Sequence, residues 1–251
     1  WPVAKSVPAG SMNCRSSWRP WRARWGKPER VNVLVTAGPT REAIDPVRFV
    51  SNRSSGKMGY AIAAAARRAG HTVCLISGPV ARPAPRGVEV VRVTTAAEML
   101  AAVQRRVRSC DLLVMAAAVA DWRPKQPARR KLKKQDGPPR ITWEPTPDIL
   151  QTVAQRKTAR QIFCGFAAET HDLAREAQRK LRAKNLDAIA ANDVARADRG
   201  FEADHNALAI YSADRCVRQG RWTTQARAAR VLLRELAAYA DRKKSENIFE
   251  K

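Results

Sequence analysis

The sequence predicts an α/β fold: a Rossmann-like, doubly wound, mainly parallel sheet with a β-hairpin flap. Two observations carry this. The runs "VNVLVTAG" (31–38), "TVCLISG" (72–78) and "DLLVMAAAVAD" (111–121) lack the polar alternation of a half-exposed strand, so they read as strands buried on both faces. Segments with helical spacing lie between them, and strand–helix alternation of this kind implies a parallel sheet covered on both sides.

Taken in order, the strand 31–38 ends in a Gly turn, and an Ala-rich helix over 58–69 follows with Gly70 as its stop. Strand 72–78 precedes a third strand, "VEVVRVTT" (88–95). The helix 96–107 is marked by the spacing of Met99, Leu100 and Val103. After strand 111–121 comes "ARRKLKKQDGPPRITWEPTPDIL", basic and turn-rich, read as a hairpin with its bend at Asp136-Gly137. A helix starts near Pro147–Asp148, "QIFCGFAAET" (161–170) is strand and turn, residues 172–184 are helical, and "DAIAAND" (187–193) is a strand. "ALAIYS" and "RCVRQGRW" form a hairpin, and 223–242 is a terminal helix with Ala226, Ala229, Leu232, Leu233 and Leu236 on one face.

The ends of the chain read differently. Residues 1–30 hold four of the seven tryptophans and seven basic residues against one acid, with no sustained period and no signal-peptide core. They are expected to be a disordered or remnant basic tail, and 246–251 a C-terminal tail. The lack of an initiating Met is consistent with a fragment.

No apolar run approaches the roughly 20 residues that span a bilayer, so no membrane role is expected. The net charge of +24 invites a polyanion. No motif that interleaves aromatic and basic residues appears, so the excess reads as a solvated basic face and no nucleic-acid partner is expected. Five cysteines, without a CxxC pair, point to a reducing, cytoplasmic location and away from a zinc site. The three histidines are scattered.

The polar insertions fall after Gly38, after Ala120 and after Phe166, at the C-terminal ends of predicted strands, where open α/β sheets bind ligands. The turn "FVSNRSSGKMGYAIA" has the makings of an anion loop, with Gly56 and Gly59 permitting close backbone approach ahead of a helix N-terminus. It is not a P-loop, because Ser51 stands at the first Gly position and Met58 at the Ser/Thr position. It is not a dinucleotide fingerprint either, since no GxGxxG follows the first strand.

"VLVTAGPTREAIDPVRFVSNRSSGKMGYAIA" resembles the opening of phosphopantothenoylcysteine synthetase, the phosphopantothenate–cysteine ligase. The resemblance continues in order through "AAVADWRP", "KLKK", "PDIL", "GFAAET", "KNLDAIAAND" and "GFEADHNAL", and covers roughly residues 31–240. It marks 31–245 as the ligase domain. In bacteria this family is commonly the C-terminal half of a bifunctional coenzyme A biosynthesis protein, whose other half is a flavin-dependent decarboxylase. "PAGSMNC" (8–14) faintly resembles a flap of that other half, with Cys14 at its acid position, but "RSSWRPWRARWG" replaces the Gly-rich sequence expected next. No decarboxylation and no flavin are expected in this chain.

The resemblance implies activation of 4′-phosphopantothenate by CTP, attack of L-cysteine on the acyl-cytidylate, and release of CMP and pyrophosphate. Asn52 and Lys131 are the implied catalytic residues, with Lys131 a mobile cation over the triphosphate and Lys133 and Lys134 adding local potential. Met115, Ala116, Ala117, Asp121, Lys131, Pro147, Asp148, Ile149, Leu150, Phe166, Lys180 and Lys184 are implied for the nucleotide. Arg48, Asn52, Ser54, Ser55, Gly56 and Lys57 are the candidates for the substrate and its phosphate. Mg²⁺ is expected with the triphosphate, held by phosphate oxygens and water, with its protein ligands unknown. A homodimer is also implied. Two alternative functions remain: an NAD(P)-dependent Rossmann-type reductase, and a basic nucleic-acid-binding module that uses the +24 charge.

Overall fold

A computed structural model describes residues 30–169, 172–193, 205–212, 216–218, 220 and 222–249. The predicted basic tail and its Cys14 therefore lie outside the described residues, apart from Arg30.

The first strand, β1 (Asn32–Ala37), is buried along all but its first residue, as a central parallel strand requires. A short hairpin follows, β2 (Arg41–Ala43) and β3 (Phe49–Ser51), before α1 (Lys57–Arg68). Then come β4 (Thr72–Ser77), β5 (Glu89–Arg92), α2 (Ala96–Val107) and β6 (Leu112–Met115). A second hairpin, β7 (Trp122–Pro124) and β8 (Trp143–Pro145), leads to α3 (Ile149–Ala154). The remainder is β9 (Ile162–Glu169), α4 (Leu173–Ala183), β10 (Ala188–Asp193), β11 (His205–Asn206), β12 (Leu208–Ser212), β13 (Cys216–Arg218), β14 (Thr223–Thr224) and α5 (Gln225–Phe249).

Eight strands form the main sheet in the order β13-β12-β10-β9-β6-β1-β4-β5. Strands β5 through β10 in that order are parallel, and β12 and β13 extend the sheet antiparallel. Helices cover both faces. Ile62 of α1 packs with Leu232 and Leu236 of α5 in one apolar layer. Met99 of α2, Val153 of α3 and Leu181 of α4 belong to the other. The doubly wound prediction is met.

Three local departures matter. The strand expected over 111–121 stops at Met115, because the chain beyond it turns to bond the end of β1 instead of β9. The expected bend at Asp136-Gly137 is not a tight reversal. The ladder pairs Trp122–Pro124 with Trp143–Pro145, residues 125–142 lie between, and Lys134–Asp136 is one 3₁₀ turn inside that loop. The terminal helix continues to Phe249, through most of the stretch expected to be a tail.

Local chemistry explains the elements. Thr95 caps α2 by accepting from the Glu98 N–H, and Asp148 caps α3 by accepting from the Gln151 N–H. By contrast, α1 starts from Gly56 in the left-handed region (φ 71°), with no side-chain cap and no acid in its first turn. Its positive end is left for something else. Within α1, Gly59 lets the helix lie directly on β1: an added Cβ would come within 2.5 Å of the Ala37 Cβ and 2.8 Å of the Thr36 carbonyl.

At the opposite, N-terminal end of the strands, buried Asp187 fastens α5 to the sheet. It accepts from Lys157 Nζ (3.0 Å), Lys243 Nζ (2.8 Å) and the Phe163 N–H (2.7 Å). Every oxygen of this 4% exposed carboxylate is engaged, which is what a buried charge requires.

The contact at Gly59 yields a direct test. Gly59→Ala pushes α1 off β1 and is expected to cost about 1–3 kcal/mol, as overpacking does. A thermal melt of the variant should show Tm lowered by several degrees.

Candidate functional site

A cavity of about 410 Å³ opens where the strand order reverses between β1 and β6, at the C-terminal ends of the strands. That reversal is where doubly wound sheets bind ligands. Its mouth exists because the segment after β6 is bent away from the sheet. The Ala117 N–H donates to Thr36 Oγ1 (3.2 Å), the Ala118 N–H to the Gly38 carbonyl (2.9 Å) and the Ala120 N–H to Thr40 Oγ1 (2.9 Å). Across the crevice, Asn52 Nδ2 donates to the Val119 carbonyl (2.8 Å), tying the 52–56 turn to this segment. An Asn amide has two N–H donors, and Val119 uses one.

Most sequence-predicted residues meet here. Asn52, Ser54, Gly56 and Lys57 form one wall, with the uncapped start of α1. Met115, Ala116, Ala117 and Asp121 form the second, and Pro147, Asp148, Ile149 and Leu150 the third. Phe166 on β9 and Lys180 and Lys184 on or just after α4 close the far side. Lys184 Nζ sits 2.8 Å from Asp148 Oδ2, so an incoming anion would exchange with a carboxylate at that lysine.

Three predicted residues are not among those that line the cavity: Arg48, Ser55 and Lys131. Ser55 faces a neighbouring cavity. Arg48 is engaged by Asp45, with Nε and Nη2 at 3.0 and 2.6 Å from Oδ2, and also donates to the Leu132 carbonyl (2.6 Å). The Leu132 N–H donates to the same carboxylate (3.1 Å). The basic loop that carries Lys131 is therefore fastened at Asp45, beside the hairpin β2–β3, and Lys131 itself is exposed.

Sequence reasoning gave no role to Asn192, Asn206 and Gln225, which also line the cavity. Asn192 Oδ1 and Gln225 Oε1 are buried with no hydrogen-bond partner among the described residues. A buried unpaired acceptor costs roughly 1–3 kcal/mol, so such atoms call for a donor on a ligand. The signal was present in "AIAAND", where a carboxamide ends an otherwise apolar strand.

Among the described residues, no three His, Cys, Asp or Glu side chains are grouped to hold a metal, and no helix is long and apolar enough to cross a membrane. Cys74, Cys110 and Cys164 are free, and burial pushes the Cys110 and Cys164 thiols up to about 12, which keeps them protonated and unreactive.

A crevice at the switch point of a doubly wound sheet, walled by an open helix start and by Lys180 and Lys184, has the chemistry to receive an anion in an α/β domain. The chain belongs to the DNA/pantothenate metabolism flavoprotein C-terminal domain family, whose model matches residues 29–239. It is 46% identical over 211 residues to the coenzyme A biosynthesis bifunctional protein CoaBC of Bacillus subtilis, covering 84% of this chain and 52% of that protein. It is 48% identical over 189 residues to CoaBC of Escherichia coli K12, covering 74% and 47%. The chain thus spans about half the length of the curated relatives it matches. A crystal structure of the C-terminal domain of CoaBC superposes with a TM-score of 0.72 at 40% identity, covering 84% of this chain and 98% of that one. The Streptococcus pneumoniae DNA/pantothenate metabolism flavoprotein shares the fold, with a TM-score of 0.70 at 24% identity, covering 83% and 99%.

The Asp45 fastening can be tested. Hydrogen bonding to Arg48 holds the Asp45 carboxyl well below the usual carboxylate range. Its contribution is therefore fully present above about pH 4 and is lost only as pH falls toward the depressed value, so it is constant between pH 5 and 8. Asp45→Asn should release residues 125–142 and speed tryptic cleavage at Arg129–Lys134 several-fold, read by mass spectrometry of the early fragments.

Proposed function

We propose that this domain ligates 4′-phosphopantothenate to L-cysteine at the expense of CTP, a step of coenzyme A biosynthesis. The observation that carries the reading is the meeting of Asn52, Phe166 and Lys180 around one crevice, in a chain of this family. The substrate carboxylate attacks the α-phosphorus of CTP and pyrophosphate leaves. The amine of cysteine then attacks the acyl carbon, the amide forms, and CMP departs.

Each wall has work in this scheme. Lys180, Lys184 and the open N-terminus of α1 offset triphosphate charge, and Phe166 offers a flat face to the base. The second N–H of Asn52 is free to hold the reacting acyl or phosphoryl oxygen. Buried Asn192 Oδ1 accepts from an amino group or N–H of the bound reactants, which supports a base that bears an exocyclic amine. Lys131 reaches the phosphates when the loop 125–142 folds inward, with Leu132 as its fixed neighbour. No side-chain nucleophile is needed, since the anhydride is reactive and positioning supplies much of the rate.

Mg²⁺ fits only as a companion of the triphosphate. Asp148 is committed to Lys184 and to its helix cap, which leaves Asp121 as the exposed carboxylate on the wall. The metal would supply charge neutralisation at the phosphates.

The deciding experiment is pyrophosphate release with 4′-phosphopantothenate, cysteine and each nucleotide in turn. CTP should support turnover, and Asn52→Ala should lower kcat about a hundredfold with an unchanged melt. No pyrophosphate with any nucleotide would remove the ligase reading.

We also propose that the domain self-associates as a homodimer in the cytoplasm. The support is an apolar face on the two packed hairpins, where Phe49, Trp122 and Trp143 are 48%, 56% and 43% exposed. Sedimentation should give twice the chain mass at micromolar concentration, and Trp122→Ser with Trp143→Ser should give the single-chain mass.

A further inference from the structure

A second cavity, of about 740 Å³, lies at the C-terminal ends of β4 and β5, bounded by Ser54 and Ser55 of the turn before α1. Nothing in the ligase scheme uses it. Three arginines line it: Arg41 at the start of β2, Arg82 in the segment after β4 and Arg92 at the end of β5. No carboxylate lines it among the described residues, and none of the three arginines has an ion-pair partner among them. Three guanidinium groups around one concavity repel one another, and no carboxylate among the described residues offsets that repulsion. An anion removes that repulsion.

Two of these groups are held ready. The Arg41 guanidinium lies 4.5 Å from the centre of the Phe49 ring and that of Arg82 lies 5.9 Å from the centre of the Tyr60 ring. Stacking on a ring occupies the face of a guanidinium and leaves its N–H edge for a planar or tetrahedral oxyanion. The Tyr60 hydroxyl is in turn fixed by Ser77 Oγ at 3.0 Å. The cavity also has an apolar part in Pro79, Val80 and Val93. Gly78 on its wall lets the chain lie directly against Pro39, where a Cβ would fall 1.7 Å from the Pro39 carbonyl oxygen. The volume lies within the range of small-molecule sites. Three cations and an apolar surface in one concavity describe an organic phosphate better than a bare ion.

We propose that this cavity binds a phosphorylated small molecule, its phosphate held by Arg41, Arg82 and Arg92. Ser54 lines both cavities and Ser55 the second, so an occupant touches the same turn that leads into α1 and carries Asn52. Binding in the second cavity thereby steadies one wall of the first. The proposal stands on the arginines and the cavity, not on the ligase reading.

Calorimetric titration of the whole chain with inorganic pyrophosphate at low ionic strength tests it. The wild type should show two binding events. Lys180→Ala with Lys184→Ala should keep one of them, and adding Arg82→Ala with Arg92→Ala should weaken that one at least about tenfold. Arg82→Lys with Arg92→Lys keeps the charge and loses the fork, so it should weaken the same event while leaving the melt unchanged. Displacement of pyrophosphate from the Lys180/Lys184 variant by 4′-phosphopantothenate would assign the cavity to the reactant's own phosphate; no displacement would assign it to a separate phosphorylated ligand. The proposal is overturned if the Lys180/Lys184 variant binds no pyrophosphate, or if either pair of arginine substitutions leaves its binding unaltered.

Discussion

Everything at the ligand end of the molecule depends on where β6 stops. Had its apolar run continued pairing with β9, the sheet would have closed over the reversal point. Instead three hydrogen bonds to Thr36, Gly38 and Thr40 draw residues 117–120 onto the end of β1. Each is worth only about 1 kcal/mol net. Together they decide that a run of small residues becomes a wall rather than a strand, and that backbone N–H and C=O groups face a crevice. The small side chains of Ala116 through Ala118 then let a ligand approach the backbone.

The central strands were legible because burial on both faces leaves a continuous apolar run, and the helices because Gly70 and Pro147–Asp148 mark ends and Met99, Leu100 and Val103 recur at helical spacing. The hairpin β2–β3 was not legible. Three residues per strand are too few for alternation, and its purpose is to carry Asp45 and Arg48 rather than to bury a face. The same limit explains Lys131. A family motif identifies the residue type, yet the carboxylate that fixes its loop lies 87 residues before Leu132 in sequence and has no local signature. Asn192 and Gln225 were missed for the opposite reason. Their importance lies in an unpaired oxygen, and pairing is a property of the packed interior.

Charge is arranged unevenly on this strongly basic chain. Arg106, Arg123, Arg179 and Arg218 have carboxylates within 3.0 Å and lie on surfaces away from the crevice. Around the strand ends the pattern changes, with lysines in one cavity and unpaired arginines in the other. Part of the excess charge lies where the sheet topology favours anions.

The Asp187 cluster stands at the far end of the same strands, and its seclusion has a practical result. Counterions weaken attraction between groups that water reaches, and a 4% exposed carboxylate between two ammonium groups is largely out of their reach. Raising ionic strength should therefore weaken the hold of the open cavities on any anion while α5 keeps its grip on the sheet. Architecture and occupancy respond to salt through separate electrostatics, so the domain can be emptied without being loosened.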